Sequence, residues 1–236
     1  MAHGELRLEL DGRIPVDAKV LAAMEKMPNL SNLTRKFHPR GFFGFRGLFQ
    51  RVKQPDGRIE EKFRHQLSVE EGEIKYDLVP IPFHSLYGSI VITELGTRFQ
   101  GFRGLNVNSE SFAEGTWDPV NGLRLTIDSY DLELNDSLKS ALPPAAIRFW
   151  NDLRPSGTLE AVRSSIHAIP GRPIDFDFQL RHREGRNSVS VHPVWFPYEM
   201  KNVSAQISFQ PNHFQIRSFK GQHRKSTLTL EGQGEY

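Results

Sequence analysis

The chain has 236 residues and a formal net charge of +2, and 38% of its residues are hydrophobic and 25% are charged. Its 17 Phe and 3 Trp are too much apolar material for a disordered protein, and its balanced charge gives the whole chain little attraction for nucleic acid. It has no cysteine, which excludes disulfides, cysteine nucleophiles and thiolate metal sites.

The first half of the chain is predicted to hold a strand, then helices, then further strands. Between Leu6 and Leu10 leucines alternate with charged residues, which indicates a strand with one apolar face. Apolar residues then recur at helical spacing between two prolines, so a helix is predicted near 16–27 and another near 29–37. Period-two alternation follows, with chain reversals at turns such as QPDGR (54–58).

The second half has the same order of elements. Its helices are predicted near 136–142 and 144–152, separated by the Pro143–Pro144 pair. Two of its strands have one apolar and one polar face, as in antiparallel sheets that are covered on one side only. The apolar faces are formed by Leu123, Leu125 and Ile127 in one strand and by Ile174, Phe176, Phe178 and Leu180 in the other.

Single residues also recur between the two halves at a nearly constant offset. Pro39 and Gly41 are followed 116 positions later by Pro155 and Gly157. Two further pairs recur 117 positions apart, namely Gly104 with Gly221 and Gly115 with Gly232. An ordered series of this kind predicts an internal repeat of about 116 residues.

The predicted fold is mainly β. We expect an extended, curled antiparallel sheet built from two repeats, residues 1–118 and 119–236, each with a short helical insertion. The only candidate boundary is the DPVNG turn (118–122), which is no flexible linker, so one continuous sheet is favoured over two domains. Because LTLEGQGEY ends in the middle of this pattern, we expect the chain to be a piece of a longer protein.

The sequence gives little evidence for catalytic groups. The nine histidines are scattered without metal-ligand spacing, and neither a GxSxG nor a phosphate-binding glycine loop is present. Asp131 and Glu133 could form an acid–base pair, but alternating acids are typical of an exposed strand face. We therefore expect no enzyme activity, no metal and no cofactor.

A sugar-binding or hydrolytic protein using Trp117, Trp150 or Trp195 is a weaker alternative, since Trp150 is predicted to be in the core and Trp195 to be a packing wedge.

The stretch from Arg35 to Lys53 interleaves basic residues with five phenylalanines. Its RGFFGF segment is similar to an RNA-recognition signature in which aromatic residues on a sheet stack on bases. However, an extra Phe breaks the alternation that stacking requires, and the equivalent region of the second half is neither aromatic nor basic. Nucleic acid is therefore not favoured as a partner, and anionic lipid head groups fit this stretch better.

A proline-aromatic turn, alternating strands and a G-x10-G unit occur in both halves, and in the second half this unit ends in LEG. In these features the chain resembles the AsmA-like proteins of bacterial envelopes, whose long relatives with a repeating β-groove include TamB and the bridge-like lipid transporters. The helical insertions depart from the simplest form of that pattern. The family supplies no catalytic residues to transfer to this chain.

The resemblance implies a non-enzymatic segment that binds or conducts phospholipid or another lipid along an apolar β-groove. It also implies a periplasm-facing protein that is anchored in the inner membrane through parts outside this chain. The groove candidates are the seven apolar residues named above, from Leu123 to Ile127 and from Ile174 to Leu180. The alternative is a structural or interaction module of the envelope, whose sheet faces close on each other and whose outer surface meets partner proteins.

Overall fold

A computed structural model describes residues 3–26, 34–35, 38–76, 79–106, 108–140, 142, 144–185 and 188–235 of the chain. As predicted, these residues are mainly β and antiparallel. The elements in chain order are β1 (His3–Pro15), α1 (Ala18–Glu25), β2 (Arg40–Lys53), β3 (Ile59–Tyr76), β4 (Val79–Thr93), β5 (Gly96–Asn106), β6 (Ser109–Asp118), β7 (Gly122–Glu133), α2 (Asp136–Ser140), α3 (Pro144–Leu153), β8 (Pro155–Ala168), β9 (Asp175–Arg181), β10 (Val189–Val191), β11 (Lys201–Gln210), β12 (His213–His223) and β13 (Ser226–Glu235).

The described strands form one 13-stranded sheet in which neighbours in space are almost always neighbours in sequence. The order runs from β1 to β9 and then through β11, β12 and β13, while the short β10 pairs with the start of β8. Within the described residues the sheet is open, and β1 and β13 are its two edges. Open sheets of more than about 10 strands are rarely flat, since the right-handed twist accumulates from strand to strand.

The helices begin where the sequence supplies a capping side chain. The Asp17 carboxylate accepts hydrogen bonds from the backbone amides of Lys19 and Val20, both at 2.9 Å, and α1 starts at the next residue. The Asn135 side chain does the same for Leu138 at 3.0 Å, just before α2. The helices predicted near 16–27, 136–142 and 144–152 are thus confirmed. The helix predicted near 29–37 lies largely outside the described residues, although Thr34 and Arg35 are helical.

The turn between the two halves is held by a single carboxylate. Asp118 accepts hydrogen bonds from the backbone amides of Val120, at 2.9 Å, and Asn121, at 2.6 Å. The hydrogen bond from the Asn121 amide, with smaller contributions from its side chain and from Val120, lowers the pKa of Asp118. This turn joins β6 directly to β7 as a hairpin, so the sheet passes through the predicted boundary without a break.

The helical insertions of the two halves end in the same backbone conformation. His38 and Arg154 have φ values of +41° and +46°, and three residues further on Gly41 and Gly157 have φ values of +106° and +104°. Each pair lies 116 positions apart. Only glycine adopts the second conformation at little cost, which explains why both halves have a glycine there.

The same glycines close the two insertions with the same hydrogen bond. The Gly41 carbonyl accepts from the Val16 amide and the Gly157 carbonyl accepts from the Leu134 amide, both at 2.9 Å. Each bond ties the residue after the first strand of its half to the strand that follows the helices. These shared features are what a repeat requires, and the superposition of residues 5–118 on 123–236 remains a prediction.

We expect Gly157→Ala to destabilise the protein more than Gly171→Ala. Both glycines have positive φ, so each alanine should cost about 1–3 kcal/mol in backbone strain. At Gly157 the new Cβ would also lie 1.8 Å from the Ser188 carbonyl oxygen, whereas at Gly171 no atom of the described residues lies within 4 Å of it. Urea denaturation of both variants is the measurement, and equal losses would show that the backbone at Gly157 relaxes freely.

Candidate functional site

The strand register places the apolar side chains of the two predicted strands, β7 and β9, on one face of the sheet. Leu125 on β7 lies opposite Ile166 on β8, and Ile166 lies opposite Phe176 on β9. Residues directly opposite each other in antiparallel strands point to the same side, and alternate residues along a strand do so as well. The side chains of Leu123, Leu125, Ile127, Phe176, Phe178 and Leu180 are therefore together on one face, and all are half-buried.

Ile174 is the exception among the seven candidates. It was predicted to belong to the strand of Phe176, but β9 begins at Asp175, and the Ile174 side chain is 38% exposed. Pro173 has no backbone N–H to donate to a neighbouring strand, so pairing starts only with His167 and Asp175. Ile174 therefore lies in the connection between β8 and β9.

The apolar face continues across the first half of the chain. One row of directly opposite residues crosses nine strands, and its members are Leu10, Phe45, Leu67, Ile90, Phe99, Gly115, Leu125, Ile166 and Phe176. Beyond β9 the face continues through Phe178, which lies opposite Phe209, and Phe209 lies opposite Phe214. The candidate strands are thus the middle of one apolar face that extends to both ends of the sheet.

Near each end of the sheet this face forms a cluster of buried residues that includes helical side chains. In the first half, Met24 of α1 packs with three phenylalanines and Ile90 around the buried Leu67 and Ile92, a group that we call the first cluster. The second cluster, in the other half, has these buried members: Leu153, Leu159, Val189, Val191, Met200, Val203, Ala205, Ile216 and Phe219. Phe149 of α3 lies against it, with its ring 6.2 Å from that of Phe209 and 6.0 Å from that of Phe214.

Between the clusters lies a section of the face that is less covered, which we call the central strip. It consists of Phe99, Trp117, Leu123, Leu125, Ile127, Ile166 and Phe176, which are half-buried and belong to neither cluster. Trp117 lies opposite Leu123, which places the indole on the same face. The central strip is therefore apolar surface that the described residues shield only in part.

A histidine within this face was missed by the sequence analysis. His65 lies opposite Ile92 and beside the rings of Phe63 and Phe45, at centroid distances of 5.1 and 5.5 Å. Its Nδ1 is buried and has no hydrogen-bond partner among the described residues. The signal was present in the sequence, because His65 stands at an apolar position of the alternating segment from Phe63 to Leu67.

Two basic residues of the Arg35–Lys53 stretch have acidic partners, Arg46 on the polar face and Arg51 near the end of β2 on the same side as Phe49. Arg46 pairs with Glu9 at 2.7 Å, and Arg51 pairs with Glu61 at 3.4 Å. Phe43 and Phe45 of the stretch point to the apolar face, where they pack with Phe63 of β3 in the first cluster. An arrangement for stacking bases would need exposed rings beside unpaired cations, and this strand offers neither at these positions.

The edge strand β1 has a network of polar contacts on the polar face of the sheet. The Gln50 carboxamide donates to the Glu5 carboxylate at 3.0 Å, and the Arg7 guanidinium donates to it at 2.6 Å. The hydrogen bond from Gln50, followed by the hydrogen bond and charge of Arg7, lowers the pKa of Glu5. These exposed contacts orient the polar face of β1 and add little to stability.

The three tryptophans lie in different places. Trp117 belongs to the central strip, and Trp150 is half-buried in α3, where it lines a shallow cavity of about 350 Å³. Trp195 was predicted to be a packing wedge, but its side chain is 57% exposed and contacts Phe196 at a ring distance of 6.4 Å. It lies in a turn beyond β10, where the buried Pro193 and the half-buried Phe196 do the packing instead.

Within the part of the chain that the structure describes, no three histidine or acidic side chains come together to hold a metal ion. No helix in that part is both long and apolar enough to span a membrane. No protein-family model, no curated protein and no solved structure matches the chain.

Proposed function

We propose that the chain is a non-enzymatic β-module of the bacterial cell envelope that binds or conducts lipid along the apolar face of its sheet. The observation that supports this most is the central strip, which joins two buried clusters yet is only half-buried itself. Acyl chains lying on it would remove apolar surface from water, at about 25 cal/mol per Å². The resemblance to AsmA-like proteins adds a periplasm-facing location and an inner-membrane anchor outside this chain.

The central strip is an elongated surface rather than a single pocket. Its members follow one another on five neighbouring strands, from Phe99 on β5 to Phe176 on β9. The rings of Phe176 and Phe178 lie 5.0 Å apart and lead from the strip toward the second cluster. A flexible hydrocarbon chain fits such a surface, since it needs apolar contact along its length and no directed hydrogen bonds.

The second candidate is a structural or protein-interaction module of the envelope. It is favoured by the clusters at both ends, where side chains of α1 and α3 already close the apolar face with protein. In that case a partner protein would cover the central strip in the same manner. The two candidates therefore differ in what touches the strip in the cell.

A photoreactive residue at position 176 is expected to capture phospholipid in bacterial cells, whereas one at position 177 is not. Phe176 belongs to the apolar face, and Asp177 points to the other side, where its carboxylate accepts a hydrogen bond from Gln179 at 2.6 Å. Mass spectrometry of the crosslinked products is the measurement. The matched loss-of-function variant is Phe176→Asp, because a charge on this face costs several kcal/mol when unpaired and also obstructs an apolar path.

Two results decide between the candidates. Phospholipid that co-purifies with the unmodified chain in native mass spectrometry, and is lost with Phe176→Asp while the fold is kept, supports lipid binding. Crosslinks from position 176 that contain only protein would contradict lipid binding and support the interaction module.

A further inference from the structure

The two edge strands of the sheet each have a counterpart that is paired inside it. The outer edge strand β13 has the same length as β6 and lies 117 positions after it, and the preceding strands β12 and β5 match in the same way. The other edge strand, β1, matches β7 at the same offset. Its leucines Leu6, Leu8 and Leu10 correspond to Leu123, Leu125 and Ile127.

The internal pairing of β6 with β7 shows how such strands fit together. Leu125 lies opposite Gly115. A Cβ on Gly115 would stand 2.8 Å from the Cδ2 of Leu125 and 2.1 Å from the Arg124 carbonyl oxygen. The glycine therefore leaves a notch, and the leucine of the next strand occupies it.

At the outer edge the same notch is empty. Gly232 on β13 is the counterpart of Gly115, and no heavy atom of the described residues lies within 4 Å of the position that its Cβ would take. At the opposite edge, the counterpart of Leu125 is Leu8, whose side chain is 51% exposed. Its neighbours Leu6 and Leu10 are 64% and 44% exposed, although the corresponding residues of β7 are half-buried.

We infer that β1 of a second copy of this chain adds to the outer edge of β13 in the way that β7 adds to β6. Leu8 of the incoming copy would lie over Gly232, with Leu6 opposite Gly234 and Leu10 opposite Leu230. Within the described part of the chain, the outer edges of both strands carry backbone N–H and C=O groups without a strand partner, which is the usual basis for strand addition. This inference does not depend on lipid binding.

The inferred contact determines how many copies can assemble. The two surfaces are different, so each copy that uses one edge leaves its other edge available. Association is therefore head to tail and continues beyond the dimer. The apolar faces of successive copies would join into one longer face, because the leucines of β1 and the residues around Gly232 lie on that side of the sheet.

The full chain should show a mass in sedimentation velocity that increases with concentration and passes beyond that of a dimer. Leu8→Arg and Gly232→Val should each lower the association constant at least tenfold. The first replaces an exposed leucine and the second fills an open notch, so both variants should keep the thermal unfolding transition of the parent chain.

Mixing the two variants provides the sharpest test. A Leu8→Arg copy keeps an intact β13 edge and a Gly232→Val copy keeps an intact β1 edge, so their mixture has one functional junction. It should form dimers and nothing larger at concentrations where each variant alone is monomeric. A third variant, Glu231→Arg, should strengthen association several-fold, because the inferred register places Glu231 opposite Glu9 of the next copy.

Three outcomes would overturn the inference. One is a parent chain that remains monomeric at all concentrations. Another is association that Leu8→Arg abolishes but Gly232→Val leaves unchanged, since this would indicate pairing of β1 with β1. The last is weaker association of Glu231→Arg. That result would indicate a contact that does not place Glu231 opposite Glu9, in which the added positive charge only increases the repulsion between copies.

Discussion

Phe219→Ala is expected to lower the free energy of unfolding by about 3–5 kcal/mol. The Phe219 side chain is only 3% exposed and belongs to the second cluster. It lies opposite Ala205 on one neighbouring strand and Leu230 on the other, so its removal leaves a cavity between three strands. Urea denaturation followed by circular dichroism measures the loss.

Leu125→Ala is the matched control, and its loss should be below about 2 kcal/mol. Leu125 is on the same apolar face, but it belongs to the central strip and is only half-buried. Its removal therefore returns less apolar surface to water. A loss as large as that of Phe219→Ala would contradict an accessible strip and favour a face that is closed by protein.

Much of the fold could be predicted from local patterns. Alternation of apolar and polar residues identifies strands such as β7 and β9, because a sheet that is apolar on one side selects that period. Asp17 and the Pro143–Pro144 pair mark the helices, since a cap and a missing N–H act within one helical turn. Both kinds of signal involve residues that are close in sequence.

The features that the sequence patterns did not predict depend on where each strand lies within the sheet. The leucines of β1 and the apolar residues of β7 have the same pattern, yet Leu8 is exposed and Leu125 is half-buried. The difference arises because β7 has a neighbour on both sides and β1 has one. Alternation alone also did not show which part of the apolar face the helices would cover. It did not show that Ile174 would precede its strand either, because that depends on Pro173, which has no N–H to donate.

A buried ion pair on the other side of the sheet was also missed. Glu160 is fully buried, and its carboxylate accepts hydrogen bonds from Nε and Nη2 of Arg181 at 3.0 and 2.9 Å. Arg183 adds a longer contact of 3.6 Å to the second carboxylate oxygen. In the sequence, Glu160 stands 21 positions before Arg181, and only the pairing of β8 with β9 brings the two opposite each other.

The two members of this pair are expected to respond unequally to substitution. Arg181→Met should lower the free energy of unfolding by about 3–5 kcal/mol, because it leaves the Glu160 carboxylate buried with only the longer contact to Arg183. Glu160→Met should cost less, since the Arg181 side chain is 44% exposed and water can solvate the charge that remains.

The double variant Glu160→Met/Arg181→Met distinguishes the cost of an orphaned charge from the value of the pair itself. Replacing both partners by apolar side chains of similar length removes the buried charge, so the double variant should be more stable than Arg181→Met alone. Urea denaturation of the three variants completes the thermodynamic cycle. If the two single losses simply add in the double variant, Glu160 and Arg181 are not coupled, and the burial of the carboxylate is tolerated without the guanidinium.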